Sequence, residues 1–110
     1  MVETPLQQLR ALLEKHCITL QGQMAEFETA YRRAGPDEAA MAILHRLKGN
    51  SGTMGFADIH ERVTALESLL RDNGASPDSD AIAADVRIAE IRTAIAAARP
   101  EQSRHYNLQF

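Results

Sequence analysis

Residues 4–36, TPLQQLRALLEKHCITLQGQMAEFETAYRRAGP, decide the fold class. Apolar side chains recur through this stretch at steps of three or four residues, which is the period of an α-helix. The pattern predicts either one long helix or two helices that bend near Gly22. Its apolar positions are Leu6, Leu9, Leu13, Cys17, Leu20, Met24, Phe27 and Tyr31.

Helix boundary signals divide the chain into four elements. Thr4 and Gln7 form a capping box at the start of the first. The second runs from about residue 37 through Met54. The third starts at Asp58, where Glu61 completes another capping-box pattern, and ends at a turn over residues 73–78. The fourth runs from about residue 79 to 99, and its apolar side is Ala84, Ile88, Ile91, Ile95 and Ala98.

The connections between these helices are short, and no stretch alternates with the period of a strand. Short loops make successive helices antiparallel neighbours. We therefore predict an all-α fold, an up-down antiparallel four-helix bundle. The first helix could be continuous, split, or preceded by a short extra helix. Residues 1–100 are predicted to form this single bundle, and residues 101–110 a C-terminal tail. The tail from Tyr106 to Phe110 could dock in a partner groove or fold back on the bundle, but we expect it to be disordered.

The composition narrows the class of protein. The chain has 110 residues, 45% of them hydrophobic and 25% charged, which fits one globular domain. A net charge of −3 argues against a nucleic-acid partner. No apolar run approaches the roughly 20 residues that span a bilayer. The lone Cys17 fits a reducing compartment, and residues 1–5 lack the order of a signal peptide, so we expect a cytoplasmic location.

The second helix carries an unusual polar strip. At about 100° per residue, Ala40, Ile43, Leu44, Leu47, Ser51 and Met54 share the core side. The opposite side holds Met41, His45, Lys48, Gly49 and Gly52.

The strip suits a reactive histidine. Each glycine costs about 1 kcal/mol relative to alanine inside a helix, and together they clear side chains from beside His45. A neutral imidazole is a nucleophile that can attack phosphorus, and Lys48, one turn on, can offset a phosphoryl charge. Met41 offers a soft apolar contact to a partner. An exposed histidine can equally have no function, and Lys48 can be an ordinary solvated charge.

Residues 44–56, LHRLKGNSGTMGF, resemble the phosphoacceptor motif of histidine-containing phosphotransfer (HPt) domains, and residues 65–70, ALESLL, resemble the helix that follows it. The resemblance implies that His45 accepts a phosphoryl group from a receiver-domain aspartate and donates it to another receiver. It implies that Lys48 contacts the phosphoryl group, and that Gly49 and Gly52 leave room for the receiver.

The related chemotaxis-kinase domains add a glutamate that hydrogen-bonds the imidazole. Glu67 matches this glutamate in offset, although it is equally placed to pair with Arg71 one turn on. Thr64 stands where the chemotaxis pattern often has a second histidine.

The resemblance also implies the cofactors and partners. Mg²⁺ and most catalytic groups belong to the receiver, so no cofactor and no autokinase activity are expected here. The partners are receiver domains of a hybrid histidine kinase and of a response regulator, with no nucleic acid and no membrane, and the chain is expected to be a monomer. His16, His60 and His105 match no short metal-ligand spacing, so no metal site is predicted.

Two other functions remain open. The bundle could bind a receiver or kinase as a non-catalytic interaction module, without phosphotransfer. It could also be the dimerisation and phosphoacceptor part of a sensor kinase. That family usually has an acidic residue after its histidine and a proline some residues later, whereas Arg46 follows here and the next proline is Pro77.

Overall fold

The chain folds as an all-helical bundle. A computed structural model describes residues 4–72 and 77–107, and over these residues it contains no strand. The elements are α1 (Pro5–Ala34), α2 (Glu38–Thr53), α3 (Ala57–Arg71), α4 (Pro77–Ala96), a 3-10 turn (Pro100–Gln102) and a short helix α5 (Arg104–Asn107). The predicted all-α fold is therefore confirmed.

Helix α1 is one unbroken element. The predicted capping box is present, because the Gln7 amide donates to Thr4 Oγ1 over 3.1 Å and the Thr4 amide donates to Gln7 Oε1 over 2.8 Å. Gly22 lies inside the helix without a break. The bend considered near Gly22 does not occur, since packing of the apolar face along the helix outweighs the weak helix propensity of one glycine.

The start of α3 differs from the prediction. We expected Asp58 to cap this helix with Glu61, but the cap position is Phe56, which makes no side-chain capping bond. Asp58 lies in the first turn and pairs with Arg62 over 3.1 Å. The buried Phe56 ring, 2% exposed, anchors the chain two residues earlier than the polar pattern indicated.

The four long helices run up and down around one core. Helix α2 packs on α1 and α3, and α4 packs on the other side of the same two helices. The largest fully buried side chains come from every helix and include Leu13, Leu20, Phe27, Leu44, Leu47, Val63, Leu66, Ile91 and Ile95. Glu28 is also buried, and it accepts from the Arg92 guanidinium across the α1–α4 contact.

The segment after residue 100 forms regular structure as far as Asn107, so the expected disorder is wrong there and the fold-back alternative is observed. It folds back on the bundle, where Ser103 is fully buried and Tyr106 packs against the edge of the core. Residues 108–110 and the predicted turn residues 73–76 lie outside the described residues. None of the helices in the described part combines the length and apolar character that a bilayer-spanning segment needs.

Candidate functional site

Helix α2 turns its polar strip away from the core. Ala40, Leu44, Leu47 and Ser51 are fully buried on the predicted core side. The side chain of His45 lies on the opposite side and is 64% exposed. The structure therefore presents this imidazole to solvent from the middle of a helix that is fixed by its buried face.

His45 makes a directed contact with the neighbouring helix α3. Its Nδ1 lies 3.2 Å from Oε2 of Glu67, whose side chain is only 6% exposed. A carboxylate can only accept a hydrogen bond, so Nδ1 carries the hydrogen of this contact. In the neutral imidazole the other nitrogen, Nε2, then holds the free lone pair.

Glu67 also binds two cations. Lys48 Nζ donates to Oε1 over 2.6 Å, and the Arg71 guanidinium lies 3.4 Å from Oε2. The sequence left open whether Glu67 faces His45 or Arg71, and the structure shows that it contacts both. One carboxylate and two cationic side chains give this cluster a net positive charge beside the imidazole of His45.

These partners decide the ionisation of Glu67. Burial raises the pKa of the carboxyl, but hydrogen bonds from Lys48 and His45 and the charges of Lys48 and Arg71 outweigh that effect. The pKa therefore lies below its usual value, and Glu67 is a carboxylate at neutral pH. Residues 40–53 of α2 contain no acidic residue, but α3 brings this paired acid to the same face.

The two glycines of the strip have different surroundings. A Cβ added at Gly49 would meet nothing within 4 Å, so the space beside this residue is open. A Cβ at Gly52 would lie 2.8 Å from Nδ1 of His60, which is held by a 2.9 Å hydrogen bond to the Lys48 carbonyl oxygen. Gly52 therefore makes room for a side chain of this protein, a packing role that the sequence did not show.

Two further side chains complete the face that α2 and α3 share. Met41 is half-buried against the edge of the core, and so is less exposed than the helical pattern implied. Thr64 Oγ1 donates to the carbonyl of His60 over 2.7 Å, so its hydroxyl is satisfied within α3. His60 was missed as part of this face, although residues 60, 64, 67 and 71 recur at helical spacing and could have indicated it.

The remaining histidines are spread over the bundle. His16 lies on α1, and its buried Nδ1 has no hydrogen-bond partner within the part of the chain that the structure describes. His60 and His105 line one groove. One ring nitrogen of His60 is hydrogen-bonded to the Lys48 carbonyl, and one of His105 to the Thr53 carbonyl. Among the described residues no three His, Cys, Asp or Glu side chains are grouped so that they could hold a metal ion.

Comparison with known proteins identifies the family. A family model described as the Hpt domain matches residues 2–101, which is most of the chain and includes α2, α3 and the exposed imidazole between them. No curated protein and no solved structure gave a match. Hpt domains are phosphocarriers of two-component signalling that have no kinase activity of their own. The chain belongs to the Hpt domain family and is a histidine phosphotransfer protein of two-component signalling.

Proposed function

We propose that this chain carries phosphoryl groups in a multistep phosphorelay, with His45 as the acceptor. It would take the group from the aspartate of one receiver domain, that of a hybrid histidine kinase, and pass it to the receiver of a response regulator. The observation that carries the proposal is the contact between His45 Nδ1 and the ionised, buried Glu67. It directs the free lone pair of Nε2 toward solvent, where a receiver can reach it.

The bonds made and broken in the transfer involve only atoms of the two proteins and the phosphoryl group. The Nε2 lone pair attacks the phosphorus of the aspartyl phosphate, the P–O bond breaks and the aspartate leaves as a carboxylate. The hydrogen stays on Nδ1 and keeps its hydrogen bond to Glu67, whose negative charge offsets the positive charge that develops on the ring. In the second transfer an aspartate oxygen attacks the phosphorus, the P–N bond breaks and the electron pair returns to Nε2.

The cations around Glu67 favour the phosphorylated state. A phosphoryl group on His45 brings a charge of about −1.5 to −2. Lys48 and Arg71 already lie at this site and contribute two positive charges against the single charge of Glu67. We propose that the Lys48 ammonium, which is 24% exposed on a flexible side chain, moves from Glu67 to the phosphoryl oxygens.

The surface around His45 suits a closely docked partner. Gly49 leaves open space one turn from the imidazole, and Met41 gives a partly exposed apolar contact on the other side. Gly52 extends this surface, which lacks protruding side chains, toward the end of α2. We propose that these three residues contact the receiver, because an aspartyl phosphate can reach Nε2 only if two rigid surfaces approach within bonding distance.

The charges around His45 support the proposal that the metal belongs to the partner. Glu67, the carboxylate that touches His45, is occupied by a lysine and an arginine, and such a site repels a divalent cation. We propose that Mg²⁺ is held by the receiver and that this chain needs no cofactor. We further propose that it acts as a monomer in the cytoplasm, which the buried free Cys17 suits.

The test is transfer from a receiver that is phosphorylated on its aspartate, with Mg²⁺ present. We expect an acid-labile, base-stable phosphoryl group on the wild-type chain and on His16→Gln, whose substitution lies on α1, and none on His45→Gln. Label that persists on His45→Gln would refute the assignment of the acceptor. Receiver binding without label on any variant would support a non-catalytic interaction module, and a dimeric mass would favour the sensor-kinase alternative.

A further inference from the structure

The C-terminal strap, residues 100–107, is fixed to the end of the helix that carries His45. Ser103 Oγ donates to the Met54 carbonyl over 2.5 Å, and the Arg104 amide donates to the Gly55 carbonyl over 2.9 Å. His105 Nε2 donates to the Thr53 carbonyl over 2.7 Å. Three consecutive carbonyls, that of the last residue of α2 and those of the two residues after it, are thus bonded by three consecutive strap residues.

Gly55 allows the strap to approach this closely. Its backbone has a φ of +81°, a conformation that favours glycine. A Cβ there would lie 2.9 Å from Ser103 Oγ and 3.0 Å from the Arg104 amide nitrogen. The strap is therefore seated against backbone, and its position relative to α2 is well defined.

The strap and the start of α3 enclose a groove of about 480 Å³. Arg104 and His105 form its strap side, while Gly52 and His60 connect it to the face that surrounds His45. Gly52 lies seven residues from His45, or about 10 Å along the helix. A typical docked protein covers about 800 Å² on each partner, a disc of about 16 Å radius. A receiver centred on His45 would therefore reach the groove.

The groove has a free positive charge. Arg104 is exposed, and its guanidinium forms no ion pair with any residue in the described part of the chain. His60 and His105 each retain a second ring nitrogen beyond the one bonded to a carbonyl, and among the described residues Glu61 is the only acid in the lining. The exposed Arg104 guanidinium can therefore pair with an acidic group of a partner, in a protein whose net charge is −3.

Arg104 and His105 lie beyond the part of the chain that the family model matches, which ends at residue 101. We propose that the strap completes the receiver-docking surface, and that Arg104 selects receivers that place an acidic side chain in this groove. The inference rests on the proposed function, since it needs a receiver docked at His45. It adds a specificity-determining residue that lies outside the phosphoacceptor motif.

The experiment compares binding of purified receiver domains from the same organism to three proteins by calorimetry. These are the wild type, Arg104→Glu and the matched control Arg87→Glu. Arg87 is an exposed arginine on α4, the helix diagonal to α2, so its reversal makes the same change in net charge. The backbone bond from residue 104 to Gly55 persists in Arg104→Glu.

We expect Arg104→Glu to raise the Kd for at least one receiver by about five- to tenfold, with Arg87→Glu within about twofold of the wild type. The difference should shrink when salt is raised from about 0.05 to 0.5 M. Equal Kd values for both variants, or no receiver binding by the wild type, would overturn the inference. Failure of the proposed function would give a different result. Receivers would still bind, and Arg104→Glu would still raise their Kd, but His45 would not be phosphorylated.

Discussion

The contrast between Gly49 and Gly52 gives the sharpest test of the site. Both lie in α2 on the side of His45, and both are changed to alanine. Alanine is favoured over glycine in a helix interior by about 1 kcal/mol. The two substitutions therefore share one favourable contribution to the free energy of unfolding, and any difference between them comes from their surroundings.

Those surroundings predict opposite outcomes. At Gly49 the new methyl group meets nothing within 4 Å, so we expect about 1 kcal/mol of added stability and a Tm about 4–8 °C higher. At Gly52 the methyl group would lie 2.8 Å from Nδ1 and 3.1 Å from Cε1 of His60. It must displace a ring that donates to the Lys48 carbonyl, and loss of that bond costs about 0.5–1.5 kcal/mol. The net change at Gly52 should therefore be near zero or destabilising.

Urea unfolding of the two variants, with and without His60→Ala, measures the effect. In the His60→Ala background the obstacle is gone, and Gly52→Ala should then be more favourable by about 1 kcal/mol than in the wild type. Gly49→Ala should be insensitive to His60→Ala. Equal stabilisation by both alanines, with no coupling to His60, would refute the packing role of Gly52.

At Gly49 the rate of phosphoryl transfer should fall while the stability rises. The added methyl group stands on the face that we propose for the receiver, so Gly49→Ala should accept phosphoryl groups more slowly although the protein is more stable. An unchanged transfer rate would show that the open space beside His45 is not used by the partner.

Three further predictions concern Glu67, Ser103 and Cys17. The pKa of Glu67 is lowered in the folded chain from its usual 4.5, so the stability it contributes is present above that pH and is lost as pH falls through the folded-state pKa. The difference in unfolding free energy between wild type and Glu67→Gln should accordingly shrink from about pH 6 to pH 3, and a constant difference would contradict the ion-pair account. Ser103→Ala leaves the Met54 carbonyl and the His105 amide without their hydroxyl partner, so chemical denaturation should show a loss of about 1–3 kcal/mol, and no loss would argue against a fixed strap. Burial, with a smaller effect of the Glu14 charge, raises the pKa of the Cys17 thiol, so a thiol reagent at about pH 8 should react slowly until denaturant unfolds the chain.

Most of the fold could be predicted from residue periodicity and caps. The stripe of α1 and its capping box depend on neighbours within one helix, and both are present as predicted. The start of α3 could not be read in this way, because it is set by burial of Phe56 against other helices and not by the polar residues that follow. The continuity of α1 through Gly22 likewise depends on packing along its length.

The candidate site was predictable only as far as one helix carries it. Spacing within α2 placed His45, Lys48 and Gly49 together on one side. The site residues on other helices were harder to predict. Glu67 was identified only through a family resemblance, and His60 was not connected to the site at all. Such contacts depend on the register between α2 and α3, which no local pattern specifies.

The structure also explains why the last residues of α2 are helical although their intrinsic helix propensity is weak. Residues 48–53, KGNSGT, contain two glycines and three small polar residues, all of weak helix propensity. The backbone of this segment takes its support from other elements. His60 donates to the Lys48 carbonyl from α3, while the strap donates to the carbonyls of residues 53–55. Because α3 and the strap hold this backbone, the outer side of α2 needs no bulky side chains to stabilise it. A histidine phosphotransfer protein needs that combination, because its histidine must be rigidly held and yet open to a docking receiver domain.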